Sequence, residues 1–160
     1  MGSADVAFEH FRAALLVSKT GMDLNGEAAA WLSQSKLAKE RGLGHDAINF
    51  ALEGLSVSKS SGNRLSEGEA LRALAEGYLC VGKVSSAIAV ASQAHEIAEK
   101  CGCLLDSAKS LGILGRVYRM SSSLEEAKVK LERARAICGR MEDCGSPITC
   151  LLYTSDAADE

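Results

Sequence analysis

The sequence predicts an all-α fold: a right-handed solenoid of stacked helix–turn–helix hairpins. Three observations carry that prediction. Small and apolar residues recur with a period of 40 along the chain. Within each period they fall at offsets of 4, 3 and 3, which puts them on one stripe of a helix. The composition agrees, with 160 residues that include 24 Ala, one Pro (Pro147) and 4% aromatics. That mixture favours helices packed closely through small side chains. It disfavours the β-branched and aromatic strands of sandwiches and barrels.

The elements follow in order. A helix near 3–19 carries Ala7, Phe11, Ala14 and Val17. The same stripe returns as Ala47, Ala51, Gly54 and Val57 in a helix near 44–60. It returns again as Ala87, Ala91, Ala94 and Ile97 near 84–100, and as Ala127, Leu131, Ala134 and Ile137 near 123–142. Two of the four positions are small, which permits close helix approach. A different helix precedes each of the last three copies, near 26–41, 66–81 and 106–120. There Trp31, Leu71 and Leu111 align, followed by Gln34, Leu74 and Leu114, then Ser35, Ala75 and Gly115, then Ala38, Tyr78 and Tyr118. Gly42, Gly82 and Ser122 fall in the turns. Ser66 with Glu69 and Ser123 with Glu126 read as capping boxes, and Asp106 as an N-cap. Gly21, Gly62 and Gly102 read as helix ends. The solenoid is therefore expected over 1–143, as a half unit (1–20) and units of about 26–60, 66–100 and 106–142. Residues 144–149 would begin a continuation.

These positions resemble the tetratricopeptide (TPR) repeat, with its W-x2-L-G-x2-Y signature followed by Ala, an aliphatic residue and Ala. Leu111, Leu114, Gly115, Tyr118, Ala127, Leu131 and Ala134 form a near-complete copy. Leu71, Leu74, Ala75, Tyr78, Ala87, Ala91 and Ala94 form a second, and Trp31, Ala38, Ala47, Ala51 and Gly54 a weaker third. The 40-residue length is similar to a longer subclass seen in spindle-orientation adaptors, rapsyn and, more loosely, kinesin light chains. The resemblance implies a concave groove lined by the first helix of each unit. Its lining would be Lys36 and Lys39, then Arg72, Glu76 and Leu79, then Lys109, Arg116 and Arg119. Six of these eight are basic, so the expected partner is a protein or peptide of acidic character. The chaperone-tail carboxylate clamp of related repeats is not reproduced, because Lys36, Ala73 and Ile113 occupy its positions.

The last eleven residues, Cys150 to Glu160, resemble a translated transposase-type sequencing adapter and are read as a non-native tail. On that reading the natural chain is truncated. Asp156, Asp159 and Glu160 carry the whole net charge of −3, which leaves 18 basic and 18 acidic groups in residues 1–149. A neutral chain lacks the basic surface of a nucleic-acid binder. No apolar run reaches the roughly 20 residues of a membrane span, and no signal peptide is legible at Met1. The six cysteines form no CxxC pair, so free thiols in a cytoplasmic protein are expected.

No motif points to catalysis or a cofactor. Gly77 to Val84 is a near miss to the phosphate-binding loop, with Val84 where Mg²⁺ needs a hydroxyl and Tyr78 already in a helix. His10, His45 and His95 lie at different repeat positions, and His95-Glu96 lacks the second His of a zinc motif. No G-x-S-x-G is present. Lys128, Lys130, Arg133, Arg135 and Arg140 alternate with Glu125, Glu126 and Glu132, as on a solvated helix face without a stacking platform for bases. The expected function is a non-enzymatic interaction scaffold or adaptor, without metal, cofactor, nucleic acid, membrane or small-molecule substrate. The alternative is a regulatory or sensor segment of a larger signalling enzyme or NTPase.

Overall fold

The structure, a computed structural model, describes residues 3–143. The expected adapter-like tail and residues 144–149 lie outside that range. Seven helices follow one another among the described residues: α1 (Ser3–Thr20), α2 (Leu24–Glu40), α3 (Gly44–Ser61), α4 (Arg64–Cys80), α5 (Val84–Lys100), α6 (Leu104–Met120) and α7 (Leu124–Asp143). No strand occurs among them. The Gly77–Val84 segment is the end of α4 and its turn, so the strand that a phosphate-binding loop requires is not there.

Every turn repeats one device. A residue with positive φ stands at Met22, Gly42, Gly62, Gly82, Gly102 and Ser122, one in every 20 residues. At five of the six, the amide that follows it reaches back five residues, as Leu43 N does to Ala38 O at 2.9 Å and Cys103 N to Ala98 O at 2.9 Å. This closes the helix end and turns the chain at once. The 40-residue sequence period thus contains two geometrically similar halves.

That device corrects three expected boundaries. The first helices begin two residues earlier than their sequence patterns suggest, because the residue after the positive-φ position becomes the cap. Asp23 accepts from Gly26 N at 3.0 Å, and Asn63 accepts from Ser66 N at 3.1 Å, so Ser66 receives a cap rather than supplying one. Cys103, not Asp106, is the N-cap of α6, and its thiol donates to Asp106 at 3.1 Å. At the end of α1 it is Met22, not Gly21, that takes the left-handed conformation.

Each second helix (α3, α5, α7) packs against its own first helix, and α3 and α5 also pack on the first helix that follows. The first helices α2, α4 and α6 also touch one another in sequence, whereas α3, α5 and α7 do not touch among the described residues. The stack therefore curves toward the first helices, which line its inner face. Small residues set the spacing: Ala47, Ala51, Ala75, Ala87, Ala91, Ala94 and Ala108 are fully buried. A Cβ added at Gly115 would stand 2.5 Å from Leu131 Cγ, so α6 and α7 meet where the sequence offers no side chain.

Candidate functional site: the inner face of the first helices

Position 36 of the first unit is repeated at 76 and 116, and position 39 at 79 and 119. The structure joins these rows through Glu76, on the middle helix. Its Oε2 accepts from Lys39 Nζ on α2 at 2.6 Å, and its Oε1 accepts from Arg116 Nη2 on α6 at 2.7 Å. One carboxylate thereby ties three consecutive hairpins. Burial alone would raise the Glu76 pKa. The hydrogen bond and charge of Lys39, then those of Arg116, outweigh burial and hold the carboxyl below its ordinary range.

The other expected groove residues make different contacts. Arg72 is buried between α4 and the start of α6, with Nη2 at 2.8 Å from Asp106 Oδ1. Its Nη1 is buried with no hydrogen-bond partner among the described residues. Lys109 stands exposed, 3.9 Å from the same Asp106 oxygen. Lys36 and Arg119 are exposed on α2 and α6. Leu79 is half-buried against the core of the last two hairpins. The structure therefore gathers Lys39, Glu76 and Arg116, draws Arg72 into an inter-helix contact, and leaves Lys36, Lys109 and Arg119 at the surface.

Sequence reasoning missed these pairings, although a trace of them was present. Glu76 and Arg116 are one period apart, and Lys39 precedes Glu76 by one period less three, about a helical turn. Asp106 as an ion-pair partner carried no comparable mark.

A second cluster lies at the junction of α5 and α6. Ser107 Oγ stands 3.2 Å from His95 Nδ1, and His95 Nε2 stands 3.3 Å from Glu99 Oε1. No such convergence of Ser, His and acid was expected from the sequence. The geometry suits a neutral imidazole, with Ser107 donating to Nδ1 and Nε2–H donating to Glu99. Desolvation lowers the His95 pKa. Glu99 raises it, Arg133 and Lys130 lower it, the Ser107 backbone raises it, and the balance lies below the ordinary value. Ser107 is only 4% exposed, and its amide is bonded to Cys103 O at the start of α6. Its hydroxyl is thus fixed as a junction between hairpins. Beside it an open cavity of about 410 Å³ is lined by Glu99, Cys103, Ser107, Arg133, Ile137 and Arg140.

Among the described residues Cys80, Cys101 and Cys103 are free thiols, and no group of three His, Cys, Asp or Glu is placed to hold a metal. No described helix is long and apolar enough to cross a membrane.

No protein-family model matches the chain, and no curated protein matches it in sequence. Solved structures do match in fold. BtubC (BKLC) from P. vanneervenii superposes with a TM-score of 0.75 at 19% identity, over 87% of this chain and 58% of that one. The putative kinesin light chain nearly identical TPR-like repeats of Podosopora anserina superpose at 0.65 with 18% identity, over 88% and 70% of the two chains. A single-substitution variant of those repeats superposes at 0.68 with 18% identity, over 89% and 70%. The chain is a TPR-type α-solenoid. It spans little more than half the length of BtubC.

Proposed function

We propose that this chain is a non-enzymatic segment of a cytoplasmic interaction scaffold or adaptor, and that it holds an acidic peptide along the inner face of α2, α4 and α6. The longer, 40-residue TPR subclass is the group whose unit length it shares. The observation that carries the reading is the charge balance of that face. Glu76 is shared by two cations, Lys39 and Arg116, while Lys36 and Lys109 add positive charge at exposed positions on the flanking helices. Exposed pairs contribute about 0.2–1 kcal/mol each, so binding depends on several acting together. The fold likeness to TPR-like repeat structures supports a protein-binding role in general. Ser107 is only 4% exposed as a residue, which limits the approach of a substrate to its hydroxyl and argues against its service as a nucleophile.

The test is a binding measurement with acidic and basic peptide pools on the chain and on Arg116→Glu and Arg119→Glu. Preference for the acidic pool, lost on charge reversal and weakened at 1 M salt, where the Debye length is about 3 Å, is the expected result. Equal binding of both pools would reduce these cations to solubilising surface.

A further inference from the structure

We propose that Glu76 is a built-in competitor for the acidic ligand: its carboxylate occupies the place a ligand carboxylate would take between Lys39 and Arg116. This rests on the reading of the inner face as an acidic-peptide site.

Each cation is already matched to one oxygen. Lys39 Nζ engages one Glu76 oxygen at 2.6 Å and Arg116 Nη2 engages the other at 2.7 Å. Those distances leave no room for a second carboxylate oxygen between either donor and its acceptor. Glu76 comes from the middle helix and its two cations from the helices on either side, so one side chain masks both at once. The three groups remain partly open, with side-chain exposures of 26% for Glu76, 30% for Lys39 and 39% for Arg116. An arriving carboxylate therefore has access, and Glu76 can swing into water without crossing the core. Exchange of one carboxylate for another conserves the number of ion pairs. The net gain then comes from the ligand's other contacts, which must be several.

The occupancy of the pair also bears on selectivity. A ligand with a single acid gains nothing over Glu76, whereas one with several acids can displace it and still reach Lys36 and Lys109. The site would thus favour runs of acidic residues over isolated ones.

The experiment uses the full chain and two synthetic dodecapeptides, one alternating Glu with Ala and Leu, the other with Gln in place of each Glu. Affinity is measured for the wild-type chain and for Glu76→Gln, with circular dichroism to verify helix content. Unmasking two partly exposed cations should tighten the Glu peptide by about five- to tenfold and leave the Gln peptide unchanged. If the wild type binds and Glu76→Gln binds equally or more weakly, Glu76 orients the cations and the competitor role is overturned while the acidic-peptide reading stands. If only Glu76→Gln binds, the competitor role stands and the wild-type reading falls. If neither binds, both fall. Should Glu76→Gln not fold, the wild-type chain answers by NMR: the Lys39 Nζ and Arg116 Nη signals must shift together as the Glu peptide is added, and unshifted signals at saturation overturn the exchange.

Discussion

Gln34 occupies the position taken by Leu74 and Leu114 in the next two units, and it is equally buried at 3% exposure. Its Nε2 has no hydrogen-bond partner among the described residues. A buried donor left unpaired costs about 1–3 kcal/mol, so Gln34→Leu, a change of similar volume, should stabilise the chain by about 1 kcal/mol or more. A urea midpoint that stays put or falls would mean the amide has a partner after all. Met22 presents the opposite case of a residue at odds with its backbone. It is 89% exposed and has φ of 55°, at the position where most of the later junctions have glycine. The left-handed region costs a side-chain-bearing residue about 1–2 kcal/mol, part of which Gly returns as unfolded-chain entropy. Met22→Gly should therefore raise the melting temperature, by the equivalent of about 0.5–1 kcal/mol.

A helix of this fold is defined by where its small residues lie. Ala87, Ala91 and Ala94 of α5 are fully buried and Ile97 nearly so, while in α1 the matching Ala14 is exposed and Val17 is 69% exposed. Ala87→Leu should overpack the α4–α5 contact and cost about 1–3 kcal/mol. Val17→Ala, the same stripe without a partner, should stay within about 0.5 kcal/mol. Equal effects in thermal melts would show that the stripe is not the packing surface. This stripe was legible in the sequence because close packing at two of its four positions leaves only Ala or Gly, and these recur at fixed offsets. The helix starts were not. Asn63 and Ser66 are both competent caps, and the choice falls to the positive-φ residue at Gly62, which makes the next position the cap. At α6 the cap is Cys103, a residue type that carries no capping tendency to read.

Across the whole molecule, charge links hairpins that share no sequence neighbourhood. The basic character of the inner face could be read from composition at repeat positions. The pairings of Glu76 and Arg72 could not, because each depends on how far one hairpin is rotated against the next. These pairings predict how the molecule responds to acid. His95 has its folded pKa below the ordinary 6.5. As pH falls, the unfolded chain binds that proton first, so stability is lost from about pH 6.5 downward. Glu76 has its folded pKa below the ordinary 4.5. Its contribution is complete above the unfolded value and is lost as pH falls through the folded one. Other carboxylates titrate in the same range, so the informative quantity is the difference between variants. Glu76→Gln should cost about 1–2 kcal/mol at pH 7, as expected for charge-assisted hydrogen bonds that remain partly solvated. That gap should be constant down to about pH 5 and close below about pH 4.5, as the wild-type carboxylate takes up its proton and the two chains become alike. Urea unfolding of both chains from about pH 7 to about pH 3 measures it. Parallel curves across that range would mean that no ionised Glu76 holds α2, α4 and α6 together.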